Sequence, residues 1–243
     1  MPDSSIPDLA ASLLRATRTG EETATLEAEL AALDREELVG ALPDDRTKKA
    51  FWIDLYNAFV QISLAANPRL FAKRDTFFGA KRLPIAGRYL SLDDIEHGLL
   101  RRSQLKRGLG YLPNPLPGGF ERTLRVEKCD PRIHFALNCG AASCPPIATY
   151  RATDVDRQLD LASESYLQGE VEYLSSKDLA RVPRLCLWFH GDFRGQAGIR
   201  SLLRRYDVIP ATATPSVRFR SYDWMLERWN FTEGFSESIS DLS

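Results

Sequence analysis

Two of the four cysteines and one of the three histidines fall within "DPRIHFALNCGAASCPPI", residues 130 to 147. A thiolate is a strong nucleophile once a neighbouring base or hydrogen-bond donor lowers its pKa. Cys139 precedes Gly140, which permits a tight turn, and Cys144 precedes Pro-Pro, which fixes the backbone. His134 stands four residues before Asn138, so the two share a side on a helix or a strand. A single buried cysteine is ordinary packing. Two within six residues, beside a histidine and turn residues, point to thiol chemistry.

A metal is the competing reading. Cys129, His134, Cys139 and Cys144 recur at a constant spacing of five. Four such ligands suit tetrahedral zinc. A five-residue step, however, turns a helix by about 140° and reverses the face of a strand. Regular structure therefore scatters these side chains, and no metal site is expected.

A second imidazole lies upstream in "SLDDIEHGLLR". His97 follows Glu96, with Asp93 four and Asp94 three residues before it. A carboxylate partner orients an imidazole and raises its basicity. Gly98 costs a helix about 1 kcal/mol relative to Ala, which a close approach of another group would explain. Asn57, on an otherwise apolar helix, needs hydrogen-bond partners; it orients a catalytic group or ties a helix to a loop. The basic run "RRSQLKRG" reads as a solvated face or an anion-holding surface, and His190 as a solvated loop residue.

These residues need elements to hold them. Residues 7 to 42 read as helical up to Pro43. Asp44 and Asp45 are placed to cap the next helix, "TKKAFWIDLYNAFVQISLAANP", whose two apolar faces mark it as buried. A hairpin turning at Gly87 follows, then a helix opened by a Ser91/Asp94 capping box. Residues 108 to 120 carry three prolines and four glycines and read as a long functional loop. The cysteine stretch is ambiguous: Asp130-Pro131 opens a short helix, whereas Ile133, Phe135 and Leu137 alternate as in a strand. "TDVDRQLDLASESYL" reads as a capped helix, "GEVEYLSSKDLARVP" as one or two strands, and "AGIRSLLRRY" as a helix.

The fold expected is α+β, mainly helical: one compact domain with a small β-sheet. Its parts are an N-terminal helical segment at 1–44, a core domain at 45–232 and a flexible tail at 233–243. A net charge of -1 disfavours nucleic acid. No apolar stretch reaches the roughly 18 residues of a membrane span, and the N-terminus lacks a signal-peptide core. Four cysteines in 243 residues point to a reducing, cytoplasmic setting.

Four motifs in order, "AFWIDLYNAFV", "LSLDDIEHGLLR", "DPRIHFALNCGAASCPPI" and "YDWML", closely resemble the domain-of-unknown-function 547 family, from about residue 45 to about residue 230. Its motifs mark Trp52, Asn57, Asp94, Glu96, His97, Arg101, Asp130, Pro131, His134, Phe135, Cys139, Cys144, Pro145, Asp192, Phe193, Tyr222, Asp223 and Trp224. Cys129, Cys186 and His190 match none of them. The resemblance brings no established activity. Some members carry a glutaredoxin domain, which leans toward thiol chemistry, and others a leucine-zipper-like segment, which leans toward scaffolding.

The expectation is a cysteine-dependent hydrolase or acyl transferase. Cys144 or Cys139 is the nucleophile, His97 or His134 the base, and Glu96 or Asn57 the orienting group. Arg101, Asn138 and Trp52 are expected to contact substrate, and no cofactor is expected. The substrate is a small molecule or peptide. The alternatives are an interaction module with a protein partner, in which these residues are buried architecture, and a thiol redox protein.

Overall fold

The computed structural model describes residues 5–232; the tail expected at 233–243 lies outside them. The N-terminal helical stretch is broken into α1 (Ile6–Thr19), α2 (Ala24–Ala32) and α3 (Arg35–Ala41). Gly20 ends α1 in the left-handed region, and Asp34 opens α3 by accepting the Glu36 and Glu37 N–H groups. The long helix α4 (Asp45–Ala66) starts on a reciprocal Asp44–Thr47 capping box and is buried along nearly its whole length. Leu9, Leu13, Leu30 and Leu38 from α1–α3 enter the same apolar cluster as Phe51, Leu55 and Phe59 of α4.

After α5 (Arg74–Gly79), strands β1 (Leu83–Ile85) and β2 (Arg88–Leu90) form the expected hairpin around Ala86 and Gly87. Ser91 and Asp94 then bond reciprocally, side chain to backbone N–H. The helix they open is not an α-helix. Residues Asp94–Leu100 wind as a π-helix, and the Arg101 N–H reaches the Glu96 carbonyl at 2.9 Å. Gly98 has its explanation here, because a Cβ would lie 3.3 Å from the Glu121 side chain on α6 (Gly119–Leu124).

The ambiguous cysteine stretch resolves as neither a strand nor an α-helix. Asp130 caps a 3-10 turn over Pro131–Phe135, and the chain beyond it is irregular. Ile133 enters the cluster around α4, whereas Phe135 enters a second cluster. The turn therefore sits at the junction of two cores. The second core is built from α7 (Val155–Glu170), β3 (Glu172–Leu174), β4 (Leu179–Val182), α8 (Leu185–Trp188), α9 (Gly195–Arg205) and β5 (Ser216–Phe219). Strands β3 and β4 pair antiparallel, and β4 pairs parallel with β5. The architecture is α+β and mainly helical, with small sheets. Asp154 precedes α7 but makes no side-chain cap bond.

After β5 the chain runs back along the cysteine loop. The Ala142, Ser143 and Ile147 N–H groups donate to the carbonyls of Met225, Asp223 and Asn230. That return path presents Tyr222 and Trp224 to the cysteines.

Candidate active site

Two asparagines shape the cysteine loop. Asn57 on α4 accepts the Asn138 N–H at 2.9 Å and donates Nδ2 to the Ala136 carbonyl at 2.9 Å. Asn138 donates Nδ2 to the Pro145 carbonyl and accepts the Gly140 N–H, both at 2.8 Å. Gly140 turns at φ 90, where a Cβ would also lie 2.6 Å from Leu64 Cδ1, so the turn requires glycine. The loop doubles back, and the Cys139 and Cys144 sulfurs come to 2.7 Å from each other.

The two thiols are not equivalent. The Cys144 sulfur accepts the Cys139 backbone N–H at 3.0 Å and faces the Tyr222 hydroxyl at 3.2 Å. Burial raises the Cys144 thiol, but hydrogen bonds from the Cys139 thiol, Tyr222 and nearby backbone outweigh it and hold it below its ordinary value. For Cys139 the hydrogen bond to Cys144 raises the thiol, and burial raises it further. Cys144 is thus the more readily ionised thiol of the pair, and Cys139 the less.

The histidines are held by a buried charge network. Arg101, which is 0% exposed, donates Nε and Nη2 to Asp192 at 2.6 and 3.2 Å. Its Nη1 lies 3.0 Å from His97 Nδ1. Arginine only donates, so His97 Nδ1 is an acceptor and the ring carries its hydrogen on Nε2, 3.5 Å from Asp93. Burial first, then Arg101, pushes the His97 pKa well down, so the ring is neutral. Asp192 also takes the His134 Nε2–H at 2.8 Å. Burial works against the Asp192 carboxylate, but hydrogen bonds from His134 and Arg101 hold it at about 2. The His134 ring stacks on Phe189 with centroids 3.7 Å apart, and its Nδ1 has no partner among the described residues.

Cys139, Cys144, His97, His134 and Glu96 all line one pocket of about 490 Å³, together with Tyr56 and Tyr222. Among the described residues neither histidine is a hydrogen-bond partner of either sulfur; the sulfurs' partners are each other, Tyr222 and the backbone of Cys139 and Ala141. Among the described residues the Glu96 carboxyl takes one hydrogen bond, from Tyr56 at 3.4 Å. Burial raises its carboxyl to about 7.

A family model described as "Protein of unknown function, DUF547" matches residues 41–167, over half of the chain. The chain belongs to the DUF547 family. No curated protein and no solved structure matches it. The match covers α4, Glu96, His97, His134 and both cysteines, whereas Asp192, Tyr222 and Trp224 lie beyond it. The pocket of this DUF547 protein is therefore completed by chain outside the matched stretch.

Several expected site residues do not reach the pocket. Trp52 is fully buried and donates Nε1 to the Leu124 carbonyl at 3.2 Å. Arg101 is committed to Asp192 and His97, and Asn57 and Asn138 hold backbone. These four are internal braces that do not line the pocket, and of the four only Arg101 meets an imidazole, that of His97. Cys129 stands apart from the other cysteines, in a second pocket with Lys49, Asp130 and Arg132. Among the described residues, no group of three or more His, Cys, Asp or Glu side chains is placed to hold a metal ion, and no helix is long and apolar enough to cross a membrane.

Sequence reasoning gave no role to Asp192 or Tyr222, which only the family resemblance marked, and passed over Tyr56 and Phe189. Tyr56 was open to discovery: it stands one turn from Trp52 on α4 and carries a hydroxyl in an apolar helix, as Asn57 carries an amide. His190 is not simply solvated, since its Nδ1 meets the Tyr111 hydroxyl at 2.6 Å and ties down the 108–120 loop.

Proposed function

We propose that the pocket is the active site of a cysteine-dependent hydrolase or acyl transferase with Cys144 as nucleophile. The observation that carries the reading is the set of donors on the Cys144 sulfur, namely the Cys139 N–H at 3.0 Å and the Tyr222 hydroxyl at 3.2 Å, inside a pocket. Such donors stabilise a thiolate without an imidazole against the sulfur. The thiolate attacks the carbonyl carbon of an ester, thioester or amide. A carbon–sulfur bond forms, the bond to the leaving group breaks, and the leaving group takes a proton from Glu96. Water or another acceptor then attacks the acyl carbon and gives its proton to His134 Nδ1, the free imidazole nitrogen of the pocket; the carbon–sulfur bond breaks, Cys144 leaves as the thiolate, and the His134 proton returns through solvent to Glu96. Asp192 fixes that ring through Nε2. His97 has no part in proton transfer, because its Nδ1 is occupied by Arg101.

The test is acyl-enzyme trapping. On brief exposure to p-nitrophenyl acetate, intact-protein mass spectrometry should find one acetyl group, mapped to Cys144 and absent from Cys144→Ser. Acetylation spread over lysines, unchanged in that variant, would contradict the reading.

A second reading rests on the 2.7 Å between the sulfurs. Cys139 and Cys144 form a reversible disulfide, giving two hydrogens to an oxidant such as diamide. The expected result is a loss of two hydrogens in mass, reversed by dithiothreitol. No mass change in wild type, or the same change in Cys139→Ser, would exclude it.

A further inference from the structure

We infer that the group brought to Cys144 is an uncharged, apolar acyl or aryl group, and that ionised substrates of either sign are excluded; this rests on Cys144 being the nucleophile. The wall around the sulfurs is formed by Phe78, Leu137, Leu185, Trp188, Phe189 and Trp224. Trp188 and Trp224 pack with Tyr222 at centroid distances of 4.8 and 4.7 Å, so the hydroxyl that faces Cys144 rises from an aromatic floor. The charged side chains that reach the pocket cancel one another. Lys106 bonds Asp93 at 2.8 Å and lies 3.6 Å from Asp75, and Arg107 meets Asp75 at 3.2 Å. Two carboxylates thus face two cations at the edge, leaving no unmatched charge there to receive an ion. Burial lowers the His134 imidazole below its ordinary value, as it does His97, so both rings are neutral, and Glu96, raised to about 7, is only partly ionised near neutral pH.

The approach is of the same character. Leu109 lines the pocket and is 44% exposed, and Tyr111 and Leu112 beside it are each 56% exposed. This lip is fixed and not a loose flap: the Gly191 N–H donates to the Leu109 carbonyl at 2.7 Å, and Tyr111 bonds His190. Gly110 turns at φ 81 where a side chain would collide with Asp192, so the lip is seated on the carboxylate that holds His134. An apolar entrance leading to an apolar wall gains by removing hydrocarbon from water, whereas an ion entering it loses hydration with no partner to replace it.

The experiment uses the full-length wild-type protein and three maleimides of like reactivity: N-benzylmaleimide, the anion 3-maleimidopropionate and the cation N-(2-aminoethyl)maleimide. The thiolate adds across the carbon–carbon double bond and the adjacent carbon takes a proton from water. Rates of modification at Cys144 are read by peptide mass spectrometry and divided by the rates with N-acetylcysteine. The neutral probe should be favoured over both ions by at least about tenfold. Normalised rates within about twofold of one another, or a faster rate for either ion, would overturn the apolar assignment while leaving Cys144 as a reactive thiol. Absence of Cys144 modification by all three in native protein, with prompt modification in denaturant, would overturn the nucleophile assignment and this inference with it.

Discussion

The Cys139 backbone N–H points at the Cys144 sulfur from 3.0 Å, so one member of the pair acts as donor to the other. Tyr222 adds a second donor at 3.2 Å. A hydrogen bond to a charged group contributes about 1.5 to 3 kcal/mol, which corresponds to roughly one to two units of pKa. Tyr222→Phe keeps the ring that packs on Trp188 and Trp224 and removes only the hydroxyl. It should raise the pH midpoint of Cys144 alkylation by about one unit, measured as iodoacetamide rate against pH. An unchanged midpoint would mean that the hydroxyl does not donate to the sulfur.

Arg101 and Asp192 are a buried ion pair, with side chains 0% and 2% exposed. Removing one partner leaves an uncompensated charge, which costs roughly 3 to 5 kcal/mol. Arg101→Met should lower stability by that order in urea unfolding. Arg101→Lys should recover only part of the loss, because an ammonium cannot supply the paired Nε and Nη2 donors.

Asn57→Ala strands the Ala136 carbonyl and the Asn138 N–H, both in a dry region. Each unsatisfied group costs about 1 to 3 kcal/mol, so a loss of roughly 2 kcal/mol or more is expected by chemical denaturation. The cysteine loop hangs on the same two bonds. Cys144 alkylation in this variant should therefore move toward the rate of a free thiol of ordinary pKa.

Glu96 gives stability a definite pH dependence. Its carboxyl is raised from 4.5 to about 7 in the folded protein. Between those values the folded state holds more protons than the unfolded chain, so its contribution falls as pH rises through that window. Glu96→Gln removes the term. The stability of the variant relative to wild type should rise from about pH 4.5 to 7 and then level off, by a total of order 1 to 3 kcal/mol. Urea midpoints at four pH values would reveal a flat difference if the carboxyl were solvated.

Local signals read from the sequence correspond to what local chemistry decides. The Asp44–Thr47 cap, the Gly87 hairpin and the Ser91/Asp94 box form within a few residues and are legible in composition. Three features are not. The π winding at Asp94–Leu100 leaves the periodicity of "SLDDIEHGLLR" unchanged, so an α-helix is the natural reading. Strand β5 is four residues long and exists through parallel pairing with β4, more than thirty residues away. The site suffers most from this non-locality. His134 gains its carboxylate from Asp192, 58 residues on, and Cys144 its hydroxyl from Tyr222, 78 residues on. Two polar candidates legible in the sequence, Asp93 one turn from His97 and Asn57 on an apolar helix, serve instead as a flank for a ring occupied by Arg101 and as a brace for the loop.

The most direct test of the central claim is the rate of iodoacetamide modification at each cysteine of the native protein across pH 5 to 10, resolved by peptide mass spectrometry. Cys144 should react first, with a midpoint below the ordinary value of 9.0, while Cys129, Cys139 and Cys186, whose thiols are all raised, stay protonated and slow. A Cys144 midpoint at or above 9.0, or modification of Cys139 ahead of it, would contradict the account.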